Sequence, residues 1–286
     1  MKNIFTFISY LLWSSICFSQ TLQTPTLSPF AKISQEIGLT TIELEYSRPS
    51  AKGRTIFGAL VPYDIIWRTG ANQGSKISFA EPARIGGKPI PSGEYAIYTI
   101  PGKEVWTIII HSNTKLRSLA GDNYNQADDL FRFEVKPQRI NRYVETFTMQ
   151  FSDLKTNTVN LQLLWANTSV NIPIEVEVDQ KIEQQMSELL KNPGSIPHRT
   201  YFEAAQYYLN NQKDVKDALS FINTALEKSP KNFRYGLLKA KIQDKAGDRK
   251  AALKTINTAN SWAKEANNAN YIGQTELFKQ SLLKRK

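Results

Sequence analysis

From about Ile37 to Val178 the apolar positions recur with period two, and beyond Val178 they recur with period 3.6. The first pattern predicts half-buried strands and the second amphipathic helices. Thr41–Tyr46 alternates polar with apolar, Glu94–Ile100 does so more loosely, and Val105–Ile110 is a continuous run suited to a strand buried on both faces. Thr146–Phe151, Val159–Trp165 and Ile172–Val178 complete the set. Gly86-Gly87 sits between two short runs and accepts the positive φ of a tight hairpin, and Pro91-Ser92-Gly93 and Pro101-Gly102 are turn formers of the same kind. Short strands spaced by about 8–12 residues, with no helical pattern between them, predict an all-β sandwich or jelly-roll-like domain. Its expected limits are residues 37–178, behind a lead segment over 20–36.

In residues 179–286, Ile182, Met186, Leu189 and Leu190 form one stripe that Pro193-Gly194 ends. A repeat follows. Residues 199–232 place Phe202, Ala205, Leu209, Ala218, Ile222, Ala225 and Pro230 in an order similar to the tetratricopeptide pattern, whose small residues let paired helices pack closely. Residues 233–266 repeat the second half as Ala252, Ile256 and Ala259, with a turn at Gly247-Asp248. They depart at Gly236, Lys239 and Lys264, and Tyr271–Leu283 predicts a closing helix. Such an array has two uses: a groove for a peptide or partner protein, with Phe202, Gln206, Lys239 and Gln243 as candidate contacts, or a stabilising accessory bundle.

The first residues have the layout of a secretory signal: Lys2, an apolar run from Ile4 to Phe18, and small residues before a cut at Ser19/Gln20. The run is short for a membrane span and contains Thr6, Ser9, Ser14 and Ser15. Bulky Ile16 before Cys17 argues against a lipoprotein, so the expectation is free export to the periplasm or medium. Cys17 is the only cysteine, so a chain cut there has no disulfide, thiolate metal site or cysteine nucleophile. The net charge of +10 is uneven: residues 20–178 hold 16 basic and 15 acidic side chains, residues 179–286 hold 19 and 11. The basic surface therefore belongs to the helical part, as solvated helix faces or a contact for an acidic protein or polymer. Export makes nucleic acid an unsuitable partner, and Lys284-Arg285-Lys286 leaves a membrane-surface role to charge alone.

Tyr46 to Asn72 is denser in special residues than a plain core requires. Its Arg48-Pro49, Gly53-Arg54, Phe57-Gly58, Leu60-Val61-Pro62 and Trp67-Arg68-Thr69-Gly70-Ala71-Asn72, with the later Pro91-Ser92-Gly93-Glu94-Tyr95 and Ile100-Pro101-Gly102, closely resemble the family called domain of unknown function 2911. The resemblance spans about residues 24–178. It implies an exported protein of a type common in Bacteroidetes and assigns no reaction. Arg48, Arg54, Trp67, Arg68 and Asn72 admit two readings. They brace a loop, since an arginine fork makes several fixed bonds, or they line a site for a carboxylate or sugar.

Catalytic patterns are weak. There is no Gly-x-Ser-x-Gly elbow, no histidine pair with metal-ligand spacing and no phosphate-binding glycine loop. His111 ends a strand run and is expected to bond a neighbouring carbonyl. Gly121–Asp129 misses the calcium-loop order at Tyr124 and Gln126. Glu43, Glu45 and Glu94 are ordinary strand-face carboxylates whose separation a sequence does not give. The expectation is a non-catalytic module with no metal or cofactor, binding through the repeats. The alternative is ligand or glycan binding, with or without hydrolysis, around Trp67, Arg68 and Asn72.

Overall fold

The computed structural model describes residues 22, 24–116, 119 and 124–284. The signal segment with Cys17 and the Ser19/Gln20 cut lies outside them, as do residues 121–123 of the calcium-like stretch and the terminal Arg285-Lys286. The chain divides into two compact units that meet between Val178 and Asp179.

The first unit is antiparallel β structure. Strands β1 (Phe30–Ile37), β2 (Thr40–Ser47), β3 (Ser75–Phe79), β6 (Gly93–Ile100), β7 (Trp106–His111) and β8 (Asp129–Val135) form one sheet in the order β1-β2-β3-β6-β7-β8. Strands β4 (Ala83–Ile85), β5 (Lys88–Ile90), β9 (Gln138–Ser152) and β10 (Thr158–Val176) form another in the order β5-β4-β10-β9. Alternation sets the faces: in β2, Ile42, Leu44 and Tyr46 are buried between half-buried neighbours. The two sheets touch where the Tyr46 hydroxyl donates to the Met149 carbonyl (2.9 Å) and its ring meets Phe147 edge-on. In β7, Ile108, Ile109 and Ile110 are all fully buried, and a second cluster around Ala96, Tyr98 and Ile109 covers one face.

Two sequence expectations change form. The lead segment supplies β1, in which Ala31, Ile33 and Ile37 keep the alternation and Gln35 interrupts it. Val159–Trp165 and Ile172–Val178, read as separate strands, are one long strand with register shifts between Leu164 and Thr168. Val159, Leu161, Leu163 and Trp165 are buried before the irregularity, and Val170, Ile172, Ile174 and Val176 after it. The phase moves by one residue, as a bulge requires, and a strict period-two reading breaks there.

The second unit holds α1 (Asp179–Leu189), α2 (His198–Asn210), α3 (Val215–Lys228), α4 (Phe233–Lys245), α5 (Arg249–Glu265) and α6 (Ala269–Lys284). Side-chain caps start three of them: Asp214 accepts from the Lys216 amide, Asn232 from Arg234 and Tyr235, and Asp248 from Ala251. Ala205, Ala218, Ile222, Ala225 and Ile242 share one core cluster, and Ala240, Ala252, Ile256 and Ala259 another. Gly236, a departure from the repeat pattern, has a packing cause. A Cβ there would lie 2.8 Å from the Cβ of Ala259, so only glycine lets α4 approach α5 this closely. Of the α1 stripe, Met186 is buried and Ile182 half-buried, while Leu189 and Leu190 stay exposed. Helix α1 is clasped by polar bonds. The Tyr207 hydroxyl donates to Asp179, and Lys213 pairs with Asp179 (2.9 Å) and Glu183 (2.9 Å). The Tyr207 hydrogen bond, then Lys213, hold the Asp179 carboxyl below the usual range.

Two outcomes follow. Gly86 (φ 57°) and Gly87 (φ 76°) form the two-residue β4–β5 hairpin, but a Cβ on Gly86 meets the Phe133 ring at 2.3 Å while one on Gly87 meets nothing. Gly87→Ala should cost about 1 kcal/mol, the penalty for a side chain at positive φ, and Gly86→Ala about 2–4 kcal/mol in urea denaturation, because overpacking adds to it. A depressed folded pKa stabilises above the unfolded value near 3.8 and loses that contribution as pH falls through the folded value. The helical unit should therefore weaken below about pH 4. Asp179→Asn should flatten part of that fall in the urea midpoint followed by far-ultraviolet circular dichroism.

Candidate functional site

The segment between β2 and β3 has no regular strand pairing, so its backbone polar groups need other partners. Arg54 and Arg68 supply some of them, while Arg48 and Asn72 tie the segment to its neighbours. Half-buried Arg48 donates through Nε to the Phe147 carbonyl (3.2 Å) and through Nη2 to Thr148 Oγ1 (2.9 Å), both on β9. Exposed Arg54 donates to the carbonyls of Ala51 (2.9 Å) and Ser50 (2.7 Å). Arg68 Nη1 donates to the Asn72 carbonyl (2.6 Å). Asn72, at φ 62°, donates its amide to the Ser28 carbonyl (3.1 Å) and Ser47 Oγ (3.2 Å).

Trp67 is the pivot of the segment. Its amide and carbonyl bridge Thr99 on β6 (2.7 and 2.9 Å), and its indole N–H donates to the Gly70 carbonyl (3.1 Å). Its ring stacks on Trp165 of β10, with centroids 5.9 Å apart and planes at 20°, and meets Phe57, Trp106 and Phe147 edge-on. The Trp165 indole is fixed in turn by the Glu145 carbonyl (3.1 Å). Beside this pair opens a cleft of about 380 Å³, lined among others by Ser50, Lys52, Arg54, Trp67, Ala71 and Trp165. Asn72 lines a different hollow of about 330 Å³ with Glu45, Ser47, Gly74 and Lys76. The five candidates are thus divided: Arg54 and Trp67 face one cleft, Asn72 another, and Arg48 and Arg68 line neither.

Backbone strain gathers on the same segment. Lys52 (φ 50°), Asp64 (φ 59°), Thr69 (φ 55°) and Asn72 (φ 62°) are all left-handed. Such outliers concentrate where a structure holds groups in place for a ligand or a switch. Lys52 is fixed by its own amide, which donates to Glu145 Oε1 (2.7 Å), while its ammonium makes no ion pair among the described residues. Sequence reasoning missed Lys52 and Trp165. Trp165 sits in a plain alternating run 98 residues from its stacking partner.

The other candidates are placed as follows. His111 is fully buried: Nδ1 accepts from the Asn113 amide (3.0 Å) and Nε2 lies 3.3 Å from the Asn125 carbonyl, so backbone engages both ring nitrogens. The Tyr98 phenol beside it has no hydrogen-bond partner among the described residues, and burial pushes it up to about 12 against the pull of Arg68. Among the described residues no group of three or more His, Cys, Asp or Glu could hold a metal ion. No helix there is long and apolar enough to cross a membrane. In the helical unit Phe202 stacks on Tyr235 (4.7 Å, 21°) and joins the α2–α4 core. Gln206 is exposed on α2, while Lys239 and Gln243 are half-buried on α4, and the buried side-chain oxygen of Gln243 has no hydrogen-bond partner among the described residues. The exposed face of α4 instead carries Arg234, Lys241 and Lys245 at spacings of seven and four, one face of a helix. Arg234 lies over the Tyr271 ring at 5.4 Å. Lys239, Lys241 and Lys245 form no ion pair among the described residues.

A family model described as Protein of unknown function (DUF2911) matches residues 28–174, more than half of the 286-residue chain. The chain belongs to this family. The DUF2911 match takes in every strand except the last two residues of β10, and with them the Trp67 cleft. No curated protein matches the chain. Among solved structures, the TPR2B-domain:pHsp70 complex of yeast Sti1 is 20% identical, covering 37% of this chain and 82% of that one at a TM-score of 0.33. The solution structure of protein BPP2914 from Bordetella parapertussis is 16% identical, covering 38% and 89% at a TM-score of 0.32.

The bonding pattern separates frame from surface. Trp165→Ala should cost about 3–5 kcal/mol in urea denaturation, since it empties a buried aromatic site. Lys52→Ala should move stability by less than about 0.5 kcal/mol, as a surface change.

Proposed function

We propose that this chain is an exported, non-catalytic binding protein, cut near Ser19/Gln20, that holds an acidic segment of a partner protein on its helical unit. In this reading residues 37–178 are a β-sandwich, which the two touching antiparallel sheets support. Residues 179–286 are a tetratricopeptide-like array, which the consecutive helix pairs with alanine at their contacts support. The observation that carries the partner chemistry is the row Arg234–Lys241–Lys245 on α4, whose two lysines form no ion pair among the described residues. A row of like charges steers an oppositely charged chain and fixes its register more than it adds raw affinity. Binding is therefore expected to be fast and salt-sensitive, with apolar contacts beside the row supplying the rest.

The test uses the full chain and a fluorescein-labelled peptide that alternates Glu with Leu and Tyr. Anisotropy should report saturable binding that weakens at least about tenfold in Lys241→Glu/Lys245→Glu and falls on raising salt to about 0.5 M. Binding unchanged by both, or none at all, would overturn the reading.

A further inference from the structure

We infer that the cleft beside Trp67 and Trp165 is a binding site for a small carboxylate carried on a flat ring, independent of the helical unit. Three observations on this cleft converge. First, its volume of about 380 Å³ falls in the range of small-ligand sites, which begins at about 300 Å³. Second, its aromatic wall is rigid. Both indole N–H groups are spent on backbone carbonyls, Gly70 for Trp67 and Glu145 for Trp165, and Trp165 is buried while Trp67 is half-buried, so the wall offers the open part of the Trp67 ring and no free donor. A flat apolar or sugar ring is what such a wall accepts.

Third, the rim is cationic and lacks a counter-ion. Lys52 and Arg54 are exposed, and neither forms an ion pair among the described residues. No carboxylate belongs to the cleft lining. Glu145 stands against the loop, and its Oε1 accepts from the Lys52 amide. Arg54 is anchored through Nε and Nη2 to the carbonyls of Ala51 and Ser50, which leaves Nη1 to donate outward. A guanidinium pinned on one edge and open on the other is pre-organised for an anion, so little side-chain entropy is lost on binding. Lys52 and Thr69, both left-handed, carry these walls at a conformational cost.

Two sources share this chemistry, an aromatic acid and an acidic sugar. The test therefore titrates full-length protein with benzoate and with glucuronate, and with benzamide and glucose as neutral counterparts, by tryptophan fluorescence and calorimetry. At least one acid should bind saturably at millimolar concentration or tighter, and at least about tenfold more tightly than its neutral counterpart. Benzoate alone would assign an aromatic acid and glucuronate alone an acidic sugar; either supports the site. Lys52→Ala, which removes no side-chain bond that braces the loop, should weaken binding at least about threefold with an unchanged urea midpoint, and Lys52→Ala/Arg54→Ala at least about tenfold with a lowered midpoint, because Arg54 also braces the Ala51 and Ser50 carbonyls. Lys241→Glu/Lys245→Glu should leave it unaltered, which keeps this site's outcome apart from that of the helical face. The inference is overturned if no probe saturates, if the neutral counterparts bind as well, or if the double alanine variant binds like the parent.

Discussion

The β unit depends on one aromatic contact set: Trp67, carried by a loop, wedged among Phe57, Trp106, Phe147 and Trp165 at centroid distances between 5.2 and 6.4 Å. Trp106 belongs to β7 of the six-stranded sheet, while Phe147 and Trp165 belong to β9 and β10 of the other. One loop residue therefore ties both sheets together. Each large ring buries about 150–250 Å² and contributes about 4–6 kcal/mol by area, an upper bound. Each left-handed side chain on the segment costs about 1–2 kcal/mol. The rings outweigh the strain, and the segment from Ser47 to Ser75 keeps a conformation that its own backbone does not favour.

That constraint decides what the arginines do. A loop packed against a core has carbonyls that water does not reach, and each unpaired one costs about 1–3 kcal/mol. Arg54 and Arg68 answer three of the loop's carbonyls, at Ala51, Ser50 and Asn72, and the Trp67 indole a fourth at Gly70, while Arg48 and the Trp165 indole bond the Phe147 and Glu145 carbonyls of β9. A density of arginines in the sequence thus marks backbone in need of donors before it marks a ligand. What remains for a ligand is smaller and more specific: one edge of Arg54, the ammonium of Lys52 and the open part of the fixed Trp67 ring.

How much of this the sequence carries depends on the range of the interaction. The Gly86-Gly87 hairpin, the doubly buried β7 and the Gly247-Asp248 turn are local, and a short window reveals them. β10 hides because its burial phase shifts by one residue between Leu164 and Thr168, so a single strand reads as two. β1 hides because Gln35 breaks its alternation. The cleft hides for a different reason: its floor is built from positions 67 and 165, and no local pattern at Trp165 announces a stacking partner. The candidates chosen for residue type, Arg48 and Arg68, fall to the frame. Lys52 matters through a turn conformation that composition does not encode.

Helix α4 shows the same separation between what holds a surface and what the surface presents. Lys241 and Lys245, four apart, repel by about 0.2–0.5 kcal/mol, and Arg234 lies in the first turn, where a cation opposes the helix dipole. Its ring contact with Tyr271 returns about 0.5–1 kcal/mol. These quantities nearly cancel. Burial of Leu237, Leu238 and Ile242 contributes about 1.5–3 kcal/mol for each side chain and decides where the helix sits. The fold of the helical unit is therefore almost indifferent to the sign of the charges on the outer face of α4. Lys245 in the last turn complements the helix dipole, so the fold accounts for one cation of the row and leaves Arg234 and Lys241 to the proposed acidic partner.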